Sequence, residues 1–142
     1  MAEPPLKGLR VLVVEDQYYL ATDICDWLNE AGAQVVGPAP NAHVACSLID
    51  AGPIDSAVVD INLGSGPTFT VAQKLAEKHV PFLFATGYDQ SVIPAEYRDR
   101  PRIEKPFKGP DVTRTVLGLW RESSKTRPSV AAPETAGGAF QT

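Results

Sequence analysis

The sequence predicts an α/β fold, a parallel β-sheet covered on both faces by helices, and three observations predict it. Short apolar runs alternate with amphipathic segments along almost the whole chain. The apolar runs are near-continuous, as strands buried on both faces are, with no polar residue at every second position. Four of the five runs also end on or just before a polar residue, at the carboxyl edge where an open parallel sheet places its ligand site.

Leu9–Val14 is the first buried-strand run, rich in valine and closed by Glu15 and Asp16. Leu20, Ile24, Leu28 and Ala31 then recur at helical spacing, and Gly32 stops that helix. Gln34–Gly37 gives a short second strand. Asn41 is placed to cap a second helix in which Val44, Leu48 and Ala51 share a face. Ser56–Asp60 is a third strand, again apolar and again ended by an acid. Pro67–Lys78 reads as a third helix with Ala72, Leu75 and Ala76 inward. Val80–Ala85 is a fourth strand, with Pro81 tolerable at its start. Arg102–Lys105 makes a fifth, and Pro110–Trp120 a final helix with Val112, Val116 and Leu119 on one face. Five such strands suit the flavodoxin-like, doubly wound (βα)5 sandwich with strand order 2-1-3-4-5. From Glu122 the composition shifts to Ser, Pro, Ala, Gly and Thr, so residues 122–142 are expected to be a disordered tail.

Composition narrows the function. At 142 residues, 44% hydrophobic and 21% charged, the chain suits one globular domain. No apolar run approaches the roughly 20 residues of a membrane span, and Met1–Leu9 lacks the apolar core of a secretory signal. Cys25 and Cys46 lack metal-type spacing and read as small hydrophobes in a reducing compartment, which places the protein in the cytoplasm. Net charge is −4, with an acidic first half (two basic against nine acidic residues up to Asp60), which argues against a general nucleic-acid surface. Nothing after Trp120 forms a helix-turn-helix, so DNA binding is not expected. The cluster Arg98, Arg100 and Arg102 is a candidate protein-contact surface.

The chemistry lies at the strand ends. Glu15 and Asp16 follow the first strand, Asp60 ends the third, Thr86 follows the fourth and Lys105 ends the fifth. Three carboxylates on one rim repel one another unless a cation sits among them. Oxygen donors in a shallow site suit Mg²⁺, which keeps several waters. A phosphoryl group fits the remaining position, with Lys105 as a point charge and the Thr86 hydroxyl as a further contact. Asp60 is then the natural nucleophile.

These residues resemble the receiver domains of two-component response regulators, over about Leu9 to Trp120. The resemblance rests on VLVVEDQ with Glu15 and Asp16, VVDINL with Asp60, FATGYD with Thr86, and EKPF with Lys105. It implies a receiver domain over residues 1–121, with Asp60 as phospho-acceptor and Thr86 and Lys105 contacting the phosphoryl group. It also implies that Glu15, Asp16, Asp60 and the main-chain carbonyl of Asn62 hold Mg²⁺, and that the Lys105–Pro106 peptide is cis. FATGYD is similar to the FAT-GUY subgroup of single-domain regulators, which implies a phosphohistidine donor on an HWE-type or related histidine kinase, or a phosphotransfer protein. The output would be a protein contact or a phosphate sink, and the chain would be a phospho-acceptor rather than a turnover enzyme.

The sequence departs from the family where receivers often carry Pro after the acceptor and an aromatic before the lysine. Gly64 and Arg102 stand there instead. Arg102 is expected to stay outside, since burying its charge would cost several kcal/mol on rough estimates. Gly87–Arg100, containing Pro94, has poor helical periodicity and is the expected moving part on phosphorylation. A monomer is expected, because a mobile segment makes a poor isologous face. The alternative is a degenerate receiver scaffold that binds a partner constitutively, against which the clustered acids argue. A phosphatase of the haloacid-dehalogenase type would want Asp-x-Asp where Glu-Asp-Gln stands, and the phosphate loop of a flavodoxin is absent.

Overall fold

The computed structural model describes residues 3–61, 69–87 and 93–126, with side chains described as far as residue 122. Its strands are β1 (Arg10–Val14), β2 (Gln34–Ala39), β3 (Ser56–Asp60), β4 (Phe82–Thr86) and β5 (Arg102–Glu104). They form one sheet in the order β2-β1-β3-β4-β5, every neighbouring pair parallel. The helices are α1 (Tyr18–Glu30), α2 (Ala42–Ala51), α3 (Thr70–Glu77) and α4 (Gly109–Thr126). The predicted α/β class and strand order are those observed.

Because strand side chains alternate between faces, the central strands β1, β3 and β4 each feed two cores. Leu12, Val14, Ala57, Val59, Phe82 and Phe84 pack with α2 and α3 residues on one face. Val11, Val13, Val58, Leu83, Ala85 and Ile103 pack with Ile24 and Leu28 of α1 and Val112, Val116 and Leu119 of α4 on the other. This double burial explains the unbroken apolar runs. It also fixes the carboxyl ends of β1, β3, β4 and β5 along one rim.

The end of α1 is set as the sequence suggests. The amides of Ala33 and Gly32 bond to the carbonyls of Leu28 and Asn29, each at 3.0 Å, and Gly32 sits at φ +97°. That is a Schellman motif, which a glycine enters without a Cβ penalty. Asn41 caps α2, its Oδ1 accepting from the Val44 amide at 2.9 Å.

Beyond shifts of one or two residues at the ends of β1, β4 and β5, four details differ from the sequence reading. In α2 the buried residues are Ala45 and Ile49, with Val44 and Leu48 half-buried and Ala51 exposed. The helix is rolled by about one residue, and Ala51 ends it at the surface. In α3 Val71 joins Ala72 and Leu75 in the core while Ala76 is half-buried, and Pro67 lies outside the described residues. α4 runs to Thr126, so the boundary expected at residue 122 falls inside a helix. Residues 127–142 lie outside the described residues. β2 is longer than expected, reaching Ala39 through a cis Gly37–Pro38 peptide and a register shift against β1 between Leu12 and Val14.

Within Gly87–Arg100, residues 88–92 lie outside the described residues. The described remainder holds one 3-10 turn, Ala95–Tyr97, and no α-helix. That turn is anchored by Tyr97, 7% exposed, whose ring stacks on Phe69 and meets Phe82 and Phe84 edge-on at 6.1–6.4 Å between centroids. Arg100 closes the cluster from outside, its guanidinium 4.5 Å from the Phe82 ring centroid.

Candidate functional site: an acidic rim with one lysine

Glu15 follows β1, and its amide bonds to the Ala39 carbonyl of neighbouring β2 at 3.0 Å. Asp60 ends β3 in register with Ala85 of β4. Both acids are buried, at 2% and 3% exposure, whereas Asp16 is exposed. One carboxylate oxygen from each of Glu15, Asp16 and Asp60 falls within 4.8 Å of the others. Lys105 enters from the end of β5, its amide held by the Thr86 carbonyl at 2.8 Å. Its ammonium lies 3.2 Å from Glu15 Oε1 and 3.3 Å from Asp60 Oδ2, bridging the two buried acids. Thr86 is buried at the end of β4. All five side chains predicted for the rim are therefore on it, while Asn62 and Gly64 lie outside the described residues.

The electrostatics are unbalanced. Burial, followed by the hydrogen bond to Asp60 and its charge, pushes the Glu15 carboxyl from 4.5 up to about 7. The Gln17 amide, donating to Oε2 at 3.1 Å, and the Lys105 charge oppose that rise without cancelling it. Glu15 Oε1 accepts no hydrogen bond although it is buried, the Lys105 ammonium offering it charge without bonding geometry. A buried oxygen left in that condition is costly unless something supplies the missing partner. An all-oxygen donor set with surplus negative charge fits a small, hard divalent cation.

Each of the three arginines also makes one contact within its own segment or to the aromatic cluster. Arg98 Nε donates to the Ile93 carbonyl at 3.1 Å and Arg102 Nη1 to the Arg98 carbonyl at 3.2 Å, while Arg100 covers Phe82. Arg102 is half-exposed with its guanidinium at the surface, as expected, and the buried aromatic of this region is Tyr97. Sequence reading missed Tyr97. Its signal was present only as a lone aromatic after Pro94 in a segment without helical period. Among the described residues no helix is long and apolar enough to cross a membrane.

No family model matches the chain. Among curated proteins it is similar to the sensor protein TorS of Escherichia coli K12, 32% identical over 116 residues, which is 80% of this chain and 12% of TorS. The chain thus spans well under two thirds of that relative. Among solved structures, the response regulator receiver protein from Sinorhizobium medicae WSM419 shares the fold, with TM-score 0.69 and 24% identity over 81% of this chain and 96% of that one. The solution structure of SdrG from Sphingomonas melonis Fr1 matches with TM-score 0.70 and 32% identity, covering 84% of this chain and 98% of SdrG. With a likeness to SdrG that runs nearly the whole length of that protein, the chain belongs to the receiver domains of response regulators.

Proposed function

We propose that this chain accepts a phosphoryl group on Asp60 from a phosphohistidine of a histidine kinase or phosphotransfer protein. The observation that carries the reading is the Lys105 ammonium held between Glu15 and Asp60, beside a third carboxylate. A carboxylate oxygen of Asp60 attacks phosphorus as the phosphorus–nitrogen bond of the donor breaks. The product is an aspartyl phosphate, and the bonding pair returns to the donor imidazole. Lys105 pairs with one phosphoryl oxygen and the Thr86 hydroxyl donates to another. Glu15, Asp16 and Asp60, with the Asn62 carbonyl as a further ligand, would hold Mg²⁺, whose charge would neutralise the transferring group.

The chain acts as a phospho-acceptor that signals by protein contact or serves as a phosphate sink, and it turns over no external substrate. SdrG has also been solved in a BeF3-activated conformation, 31% identical to this chain, which supports the same chemistry here. The FATGYD run supports placement in the FAT-GUY subgroup with a donor of the HWE or a related type. We further assign a monomer, without DNA binding, acting in the cytoplasm.

Incubation with a phosphorylated kinase or with phosphoramidate tests the reading. Wild type should take up a base- and hydroxylamine-labile label that needs Mg²⁺, and Asp60→Asn should take up none. Label retained in Asp60→Asn refutes the assignment. No label in wild type with any donor favours the constitutive scaffold.

A further inference from the structure

We propose that Trp27 is a positioning residue for the Lys105 ammonium, acting through the turn that joins β5 to α4. The proposal rests on the phospho-acceptor reading of the site. Lys105 carries a long, flexible stem, so where its ammonium sits depends on how firmly its main chain is held. On one side the Thr86 carbonyl fixes the Lys105 amide at 2.8 Å. On the other the chain leaves through Pro106, Phe107 and Lys108 and enters α4 at Gly109.

That exit lies against the indole of Trp27. Phe107 meets it edge-on, with centroids 6.3 Å apart and an interplanar angle of 65°. The backbone of Gly109 lies directly on its five-membered ring: a Cβ there would stand 2.8 Å from Cδ1, 2.9 Å from Cγ and 3.1 Å from Nε1. Side chains do not approach that closely, so only glycine lets the first turn of α4 touch the ring. The far end of the turn is tied separately, Asp111 Oδ2 accepting from the Lys108 amide at 3.1 Å, the backward half of a capping box. The stretch from Lys105 to Asp111 is thus pinned at Thr86, at Trp27 and at its own cap. The indole is the pin contributed by α1, the helix that follows Glu15 and Asp16.

A tryptophan that merely filled the seam between α1 and α4 would change stability alone when truncated. A positioning tryptophan also changes what Lys105 does. Trp27→Ala, Trp27→Phe and Phe107→Ala are compared with wild type in the full chain, each first shown by circular dichroism to be folded at the assay temperature. Beryllofluoride is titrated at saturating Mg²⁺, Mg²⁺ is titrated alone, and the Lys105 ammonium signal is followed by NMR in metal-free protein.

Trp27→Ala should weaken beryllofluoride binding about tenfold or more, as misplacement of a binding group by about 1 Å does. Mg²⁺ affinity should be unchanged or tighter, because the displaced ammonium no longer competes for Glu15 and Asp60. Trp27→Phe should recover most of the loss and Phe107→Ala should reproduce it, with the Lys105 signal moving toward that of a free lysine in both truncations. Unchanged beryllofluoride affinity in a destabilised Trp27→Ala, or an unmoved Lys105 signal, overturns the proposal. If Trp27→Ala does not fold, Phe107→Ala decides. Wild type that binds no beryllofluoride refutes the phospho-acceptor reading instead, and the metal-free Lys105 signal still decides the role of Trp27.

Discussion

Glu15→Gln should make the metal-free protein more stable at pH 8 and leave it nearly unchanged at pH 4. The buried Glu15 carboxyl binds its proton more tightly in the folded protein, at about 7, than in the unfolded chain, at 4.5. The contribution of this group is therefore fully present below pH 4.5 and is lost as pH rises toward 7. At about 1.4 kcal/mol per pH unit, the loss amounts to at most about 3 kcal/mol. The neutral amide of Gln fills the same space without a charge beside Asp60, but it forfeits the ion pair with Lys105, so a gain of about 1–3 kcal/mol is expected at pH 8. At roughly 4 °C per kcal/mol for about 120 folded residues, that is a measurable rise in melting temperature. Urea unfolding of both proteins in chelator at four pH values between 4 and 8 isolates the effect. The difference should open between pH 4.5 and 7 and then stay level. Saturating Mg²⁺ should close or reverse it, since a ligand that binds only the folded form stabilises that form. Parallel stability curves across the window would refute the reasoning about Glu15.

Three other outcomes follow from the packing. Tyr97→Ala should cost about 3–5 kcal/mol in denaturant unfolding, because it removes a ring buried among Phe69, Phe82 and Phe84; Tyr97→Phe keeps the ring and should cost about 1 kcal/mol or less. Gly109→Ala should lose about 1–3 kcal/mol in the same assay, since the new methyl overlaps Trp27. Ending the chain after Arg121 takes Glu122–Thr126 from the end of α4 and spares Val112, Val116 and Leu119, so the melting temperature should fall by no more than roughly 4 °C.

What the sequence made legible is what local chemistry determines. A strand buried on both faces must be apolar throughout, so the first polar residue after each run marks the rim. That is why Glu15, Asp60, Thr86 and Lys105 could be placed before any coordinates. Asn41 and Gly32 were legible for a similar reason, their side chain or lack of one being answered within a few residues. The inward face of α2 was not, because Val44, Ala45, Leu48 and Ile49 are all apolar and only the docking angle on the sheet selects among them. The end of α4 was hidden because Glu122–Thr126 holds polar residues that a packed helix extends through at little cost. The packing of Trp27 and Tyr97 was illegible because their partners are brought together only by the fold: Phe107 and Gly109 for one, Phe69, Phe82 and Phe84 for the other.

The two outer strands carry a consequence for how another protein can engage this one. β5 is three residues long and lies between Pro101 and Pro106, while β2 contains Pro38 beside its shift of register. A proline offers no amide, and a short or irregular strand presents too few groups in step to pair with an incoming chain. Both borders of the sheet are therefore poor templates for an added strand from a second copy or a partner. Such edges favour recognition through the side chains of helix surfaces and connecting turns. Tyr18 and Tyr19, 75% and 83% exposed at the start of the helix that follows Glu15 and Asp16, are large side chains on such a surface, where contact is selective in a way that main-chain pairing with any extended peptide is not.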